Sequence, residues 1–360
     1  MAMRLSSTGL VADGNTPTES LLSFLDSVLR GVGQVMLQNN SYAGLFFLAG
    51  IFYNSRLFGL AVVVGTAVST ASAMLLEVEP SKVREGLFGF NGALVAVALT
   101  YFLQTDALTW AYVVFAAIAA AVLTAAMSGL LETWSVPVLT APFVLTALCF
   151  LLACAHFGRL HSTHVLPTAG LPTTAIVEGV VSASTVVEGL FKGVAQVFFQ
   201  NSVVTGVLFL AGLLVSSRRM FLAALLGSLT GLFVAWGMGA AEPAIRSGAF
   251  GFNCVLTAIA MVSLGFELNK GASAFYILLA TIASAIVFAA TSTALKPLGM
   301  PALTLPFVLA VWIFLLAGRQ FPGLLREMPN RVPTDEFQVG GYAKSSSQLS
   351  AQPSGQLPRR

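Results

Sequence analysis

Long apolar stretches separated by short polar intervals run along most of the chain. They predict transmembrane helices, because many approach the roughly 20 residues that cross a hydrocarbon core about 30 Å thick. The first half predicts a short amphipathic helix near 19–29, a half-length segment near 30–40, and spans near 42–55, 57–76, 87–104, 107–131 and 138–157. The second half predicts a half-length segment near 192–202 and spans near 204–217, 220–240, 249–265, 273–295 and 302–318. This pattern is typical of an all-α polytopic membrane protein.

The two halves resemble each other in sequence. A shift of 162 residues aligns 30–56 with 192–218 without a gap and gives 13 identities in 27 positions. Five crossings is an odd number, so the second half enters the membrane inverted relative to the first, as in many transport proteins. We therefore expect two inverted repeats, each of five transmembrane helices plus one half-length pore helix. The expected divisions are a polar tail 1–18, repeats 19–165 and 166–325, and a disordered tail 326–360.

Composition and charge support a membrane protein and exclude several other classes. Hydrophobic residues make up 56% of the chain and charged residues 9%, against about 25% charged in soluble domains. The net charge of +3 is too small and dispersed for a nucleic-acid partner. No HExxH motif, paired carboxylate or nucleophile elbow is present, so we expect neither an enzyme nor a cofactor. The expected surroundings are the lipid bilayer.

The distribution of Lys and Arg mildly favours one orientation in the plasma (inner) membrane. Both termini would be cytoplasmic and the linker 158–188 external. Three histidines cluster where this linker begins: His156, His161 and His164. We favour surface histidines over a metal site there.

Two glutamine-rich segments lie inside the apolar pattern. An amide without partners in hydrocarbon costs about 4–8 kcal/mol, so these side chains must face protein or water. Helical spacing would place Gln34, Leu37 and Gln38 on one face. The second copy repeats this set as Gln196, Phe199 and Gln200. Interhelical hydrogen bonding is one explanation, but two copies favour a narrow passage for a small polar solute.

A second motif, LFGFNGAL, is also duplicated. Phe90 and Leu94 are four residues apart and share a helix face, and Phe252 and Leu256 repeat the pairing. Packing and pore lining both remain open for these residues. The glycines of the motif would permit close helix approach; they are Gly86, Gly89, Gly92, Gly248 and Gly251.

A third motif, PVLTAPFVL at 137–145, returns as PALTLPFVL at 301–309. Pro142 and Pro306 predict helix starts. Thr140 and Thr304 lie just upstream, where each hydroxyl either faces a lumen or caps free amides. Two helix N-termini at membrane depth would discourage cations.

These motifs together resemble the urea transporter family. The carriers of the resemblance are GQVMLQNN with AQVFFQNS, GLFGFNG with GAFGFNC, and the duplicated Pro-x-x-Thr-x-Pro-Phe. It covers about residues 20 to 320. It implies a channel-like facilitator that passes urea down its gradient, usually as a homotrimer with one pore in each protomer.

The resemblance also implies roles for individual residues. Family members have stacked aromatic slots and a ladder of oxygen atoms. Carried over by position, the ladder involves Gln34, Gln196 and the backbone carbonyls around Val35 and Val197; the slots use Phe90, Phe199, Phe252, Leu94 and Leu256; and Thr140 and Thr304 lie near the middle. Leu37 departs from the pattern because many members have an aromatic residue there, so the slot on that side is expected to be wider.

The alternative is a channel or an ion-coupled carrier for another small neutral amide or ammonia. A coupled carrier would need ionisable groups at depth, and an ammonium channel would place histidines along its pore. The acidic residues considered fall at predicted segment ends: Glu77, Glu79, Glu85, Asp106, Glu132, Glu242 and Glu267. This arrangement favours a passive pathway.

Overall fold

The computed structural model describes residues 4–11, 17–172, 176–321 and 324, and helices make up most of its regular secondary structure. A short antiparallel hairpin, β1 (Arg4–Ser6) with β2 (Gly9–Val11), precedes the helices. The helices are α1 Pro17–Gln34, α2 Ser41–Asn54, α3 Arg56–Leu75, α4 Pro80–Arg84, α5 Phe90–Phe102, α6 Ala107–Glu132, α7 Ala141–Cys154, α8 Ala183–Ala195, α9 Val203–Ser216, α10 Arg218–Gly237, α11 Glu242–Arg246, α12 Gly251–Ser263, α13 Gly271–Leu295 and α14 Leu305–Gly318. The expected tail 326–360 lies outside the described residues.

The helix lengths repeat in order along the chain. Helices α2 and α9 have 14 residues each, α3 and α10 have 20, α4 and α11 have 5, and α5 and α12 have 13. Helices α6 and α13 have 26 and 25 residues, and α7 and α14 have 14 each. Two series of matching elements, α2–α7 and α9–α14, therefore accompany the sequence repeat. We call them the first and second series.

Four of the described helices are long and apolar enough to cross a membrane alone: α3, α6, α10 and the extended α13 (Gly271–Leu298). Helices α8 and α9, bent by 73° at their break, form a fifth candidate span. The predicted spans 87–104 and 138–157 contain shorter helices of 13 and 14 residues. At 1.5 Å per residue these reach only about 20 Å. Five full crossings in each half are therefore not supported by helix length.

The first helix differs from its prediction. The sequence analysis expected an amphipathic helix near 19–29 followed by a half-length segment near 30–40, but α1 is continuous to Gln34. Gly31 and Gly33 lie inside this helix at points of close packing. A Cβ at Gly31 would meet the Thr66 side chain, and one at Gly33 would meet the Gln38 carbonyl. Close packing thus offsets the low helix propensity of glycine.

Part of the expected N-terminal tail is folded. The amide of Ser41 donates a hydrogen bond of 3.0 Å to the Thr8 carbonyl, and the Tyr42 hydroxyl donates one of 3.3 Å to the Ser6 carbonyl. The hairpin therefore docks on the beginning of α2, and the division of the chain at residue 18 stays a prediction.

The two series pack together along α2 and α9. The Phe47 and Phe209 rings meet edge to face, with centroids 5.2 Å apart. The Thr205 hydroxyl donates a hydrogen bond of 2.9 Å to the Gly50 carbonyl. Gly50 and Gly212 allow this approach, since a Cβ at either would press on a phenylalanine of the other helix. Aromatic packing and close backbone contact thus join the two series.

Candidate functional site

The C-terminus of α1 ends in a tight left-handed turn. The Leu37 amide donates a hydrogen bond of 2.9 Å to the Gln34 carbonyl, and the Gln38 amide donates one of 3.1 Å to the Gly33 carbonyl. These two bonds define a Schellman motif. Leu37 has φ +59°. The prediction that Gln34, Leu37 and Gln38 share one helix face is therefore wrong, because Leu37 lies beyond the helix end.

The second series repeats this turn. Helix α8 continues as a 3-10 turn, Gln196–Phe198, and Phe199 follows with φ +60°. The Phe199 amide donates to the Gln196 carbonyl at 2.9 Å, and the Gln200 amide donates to the Ala195 carbonyl at 3.2 Å. Gln196, Phe199 and Gln200 therefore do not share a helix face either. Glycine is the usual residue at this position, and a bulky residue there costs on the order of 1–3 kcal/mol. The same strained backbone conformation therefore occurs at matching places in both series.

The carboxamides of Gln34 and Gln196 are held in the same way. The Gln34 Nε2 donates a hydrogen bond of 2.9 Å to the Glu85 carbonyl, and the Gln196 Nε2 donates one of 3.1 Å to the Ser247 carbonyl. This contact identifies the nitrogen, because a carbonyl oxygen can only accept. Neither amide oxygen accepts a hydrogen bond from any residue that the structure describes. Each amide thus presents an oriented, available acceptor.

Backbone acceptors lie next to these amides. A helix C-terminus leaves carbonyl groups without intrahelical donors. Gln38 Nε2 satisfies the Met36 carbonyl at 2.7 Å, and Gln200 Nε2 satisfies the Phe198 carbonyl at 2.6 Å. Across the described ranges, the carbonyls of Val35 and Val197 receive no hydrogen bond. Each helix end therefore offers an amide oxygen beside a free backbone oxygen.

Thr140 and Thr304 meet directly. Their hydroxyl oxygens are 2.5 Å apart and both residues are buried. Each residue precedes a helix, α7 or α14, but neither hydroxyl makes a capping bond to described residues. The capping interpretation is therefore wrong. The predicted helix starts are confirmed to within a residue, since Pro142 and Pro306 follow the first residue of α7 and α14.

Two asparagines serve the helix N-termini instead. The Asn91 Oδ1 accepts a hydrogen bond of 3.2 Å from the Phe143 amide, and the Asn253 Oδ1 accepts one of 3.2 Å from the Phe307 amide. Both asparagines are fully buried. Neither asparagine was predicted as a site residue, although each follows the duplicated Phe-Gly-Phe and their matched spacing was a usable signal.

The N-termini of α7 and α14 point toward each other. Trp312 Nε1 donates a hydrogen bond of 2.8 Å to the Pro137 carbonyl, and Arg319 Nη2 donates one of 2.9 Å to the Ser135 carbonyl. Residues 135–140 therefore run along α14 toward its N-terminus, and α7 leads away from that point. The partial positive charges of both helix ends converge on the threonine pair. This arrangement disfavours cations at the centre.

A cavity of about 230 Å³ reaches the threonine pair from one side. Its lining residues are Pro167, Gln196, Val197, Phe199, Phe252, Phe288, Ser292, Pro301, Ala302, Leu303 and Thr304. Five of the predicted site residues are therefore brought together in one cavity: Gln196, Val197, Phe199, Phe252 and Thr304. The other seven lie outside this lining, and Leu94 and Leu256 are fully buried in the hydrophobic core.

The Phe199 ring packs against aromatic residues of the first series. It lies 5.3 Å from Tyr101, 5.8 Å from Phe102 and 6.5 Å from Phe143, centroid to centroid. These three residues belong to α5 and α7 of the first series. The Phe199 ring is therefore fixed between the two halves of the fold.

Two ion pairs precede the glutamines, and the sequence analysis overlooked both. Asp26 and Arg30 on α1 are 2.6 Å apart with largely buried side chains, and Glu188 and Lys192 on α8 are 2.7 Å apart. Each pair is neutral as a unit. Asp26 lies in the predicted amphipathic helix near 19–29 and Glu188 at the end of the predicted linker 158–188, so neither carboxylate falls within a predicted apolar span. The described residues contain no cluster of three or more His, Cys, Asp or Glu suited to a metal.

These features define a helical integral membrane protein with an internal polar site between two matching series of helices. Its family follows from comparison with known proteins. The urea transporter family model matches residues 25–319, and the chain belongs to this family. It is 31% identical over 322 residues to urea transporter 1 of Rattus norvegicus, covering 88% of this chain and 83% of the rat protein. It is 30% identical over 330 residues to urea transporter 1 of Ovis aries, covering 90% and 85% of the two chains.

Proposed function

We propose that this protein is a passive, channel-like transporter of urea, with a narrow pore between inverted repeats 19–165 and 166–325. The observation that carries the proposal is the matched pair of helix ends, each with one oriented amide oxygen and one free backbone oxygen. Family membership supports urea as the solute. The two helix N-termini meeting at Thr140 and Thr304 support the inverted arrangement.

The proposed pathway follows the chemistry of urea. Urea is flat and uncharged, with two amino groups that donate hydrogen bonds and one carbonyl that accepts them. Oxygens of Gln34 and Val35 on one side, and of Gln196 and Val197 on the other, replace the water that urea loses on entry. The threonine hydroxyls bridge the two sets because a hydroxyl both donates and accepts.

Apolar walls would exclude solutes that are thicker or hydrated. We call the part of the pathway formed by the first series the first side and the part formed by the second series the second side. We assign the slots to Phe90 and Leu94 on the first side and to Phe199, Phe252 and Leu256 on the second. Leu37 replaces an aromatic ring on the first side. The converging helix N-termini add a barrier to cations, so ions are rejected by charge as well as by size.

An ion-coupled carrier or a pathway for ammonia is less well supported. Asp26 and Glu188 are each engaged with a neighbouring base, so neither is a favourable proton carrier. The three histidines all belong to the segment after α7 rather than to the cavity lining. Urea flux should therefore be insensitive to pH and sodium gradients.

We further propose a homotrimer with one pore in each protomer, in the plasma (inner) membrane, with cytoplasmic termini. The distribution of Lys and Arg supports this orientation. The exposed apolar side chains that cover α6 and α13 suit lipid or a neighbouring protomer, among them Phe115, Leu130, Phe275 and Ile286.

Stopped-flow shrinkage of proteoliposomes in a urea gradient tests the proposal. We expect urea permeability well above that of protein-free vesicles, and no change when a pH or sodium gradient is imposed. Permeability equal to protein-free vesicles, with protein shown to be folded and inserted, would refute the function. Dependence on an ion gradient would favour the coupled carrier.

A further inference from the structure

The aromatic wall of the cavity includes a residue that the sequence analysis did not name. Phe288 on α13 lines the cavity beside Phe252 and Phe199. Its ring stands edge-on to Phe252, with centroids 5.7 Å apart and planes at 81°. It stands edge-on to Phe250 as well, at 5.1 Å and 81°. Phe288 is therefore both part of the wall and a support that limits how far the Phe252 ring can move.

The corresponding place in the first series has no ring. The shift of 164 residues that aligns the third motif pairs Phe288 with Thr124. The Thr124 hydroxyl accepts a hydrogen bond of 3.2 Å from Asn91 Nδ2 and donates one of 2.7 Å to the Ala120 carbonyl. Thr124 is thus committed to a polar contact inside the bundle and supports no aromatic wall.

The residues at these matching positions therefore differ between the two series. The second side has three aromatic rings, Phe199, Phe252 and Phe288. The matching positions on the first side are Leu37, Phe90 and Thr124, with only one ring. A fixed aromatic slit resists a thicker solute more strongly than a wall of rotatable aliphatic and short polar side chains.

We propose that Phe288 is a specificity-determining residue, and that selection of urea against alkylated ureas takes place on the second side, where Phe288 holds Phe252. This inference rests on the proposed function. Methyl groups on the nitrogens widen and thicken the solute, so their passage depends on how far the Phe252 ring yields. In a fitted apolar site, one added methylene changes discrimination by about 10- to 200-fold.

The test replaces Phe288 by threonine, the residue at the matching position 124 of the first series, in the variant F288T. The permeabilities to urea and to N,N′-dimethylurea are measured in proteoliposomes. We expect the dimethylurea-to-urea ratio to rise about tenfold. F275T is the matched control, because Phe275 lies on the same helix with 61% of its surface exposed. F288W, which keeps an aromatic ring, should preserve the low ratio. If F288T does not fold, F288L carries the same expectation.

An unchanged ratio in folded F288T, or the same rise in F275T, would overturn the inference. A parallel fall of both permeabilities would also overturn it, because it would indicate structural damage rather than altered selection. These results differ from failure of the proposed function, in which the wild-type protein itself passes no urea above protein-free vesicles.

Discussion

The hydroxyl oxygens of Thr140 and Thr304 lie 2.5 Å apart, although the two residues are 164 positions apart in sequence. Each residue immediately precedes a helix whose own N-terminal amide is served by a buried asparagine. The hydroxyls are therefore free from capping and available to each other. Under the proposed function, a solute that replaces this contact would be bonded by both series at once, and the pair would lie at the centre of the proposed pathway.

Removing one hydroxyl should slow permeation. T304V keeps the side-chain volume but deletes the hydrogen-bonding group, and a net hydrogen bond contributes about 1 kcal/mol. We expect urea permeability to fall about five- to tenfold in T304V, and less than additively in T140V/T304V, because the two groups act together. T293V is the control, since Thr293 belongs to the same series of helices and is exposed. Stopped-flow light scattering measures each variant, and full permeability in T304V would exclude a direct role.

The oriented amides should matter more for permeation than for folding. Q34L and Q196L each remove an available acceptor of the proposed oxygen ladder. We expect urea permeability to fall at least about tenfold in either variant, since an unmatched polar solute in an apolar site loses about 1–3 kcal/mol. Q104L, at an exposed glutamine between α5 and α6, should behave as wild type.

Size-exclusion chromatography and thermal unfolding of the same variants separate the two explanations for the glutamines. If Q34L and Q196L unfold far more readily while the remaining folded protein conducts normally, the glutamines only join helices. A folded protein with low permeability supports the pore role.

The sequence predicted the long helices well because their boundaries are marked chemically. The span expected at 57–76 is α3, Arg56–Leu75, and the span expected at 107–131 is α6, Ala107–Glu132. Asp106 marks the beginning of α6, since its carboxylate accepts a hydrogen bond of 2.7 Å from the Thr109 amide. That same bond lowers the pKa of Asp106. Capping residues and apolar runs are local signals, so they can be recognised in a single sequence without knowledge of the fold.

The site was harder to predict because its turns lack the usual residues. A left-handed position after a helix normally carries glycine, but here it carries Leu37 and Phe199. Leu139 and Leu303, both with φ +51°, give no local signal either. Helical spacing was therefore extended past the true helix ends. The asparagine contacts were missed for another reason: Asn91 and Phe143 are 52 positions apart, and only the fold brings them together.

Close backbone contact between α1 and the turn after α4 should make Gly86 intolerant of a side chain. Gly86 has φ +74°, and a Cβ there would overlap the Gly31 amide nitrogen. Gly248 repeats both features against Gly193. We expect G86A and G248A each to lower the free energy of unfolding by at least about 2 kcal/mol.

Thermal unfolding in detergent measures this loss, with G129A as the matched control. Apart from the backbone of its own helix α6, no neighbouring atom of the described residues lies within 4 Å of a Cβ at Gly129. Alanine is favoured there over glycine by about 0.5–1 kcal/mol, so G129A should be neutral or slightly stabilising. Equal stability of G86A and G129A would contradict the proposed close contact.

A carboxylate outside the membrane spans should give the fold a dependence on pH. The Thr185 hydroxyl donates a hydrogen bond of 2.5 Å to Glu242 Oε1, and Arg246 Nε donates one of 2.7 Å to the same atom. The hydrogen bond from Thr185, followed by the interaction with Arg246, lowers the pKa of Glu242. Because the folded state then binds the proton more weakly than the unfolded state, the contribution of Glu242 to the stability of the fold is complete above the ordinary glutamate pKa. It is lost as pH falls through the lowered value.

We expect the unfolding temperature to decline more steeply in acid for the wild type than for E242Q. E132Q, at an exposed glutamate on α6, should keep the wild-type profile, and an E242Q profile parallel to wild type throughout would show that this carboxylate does not contribute.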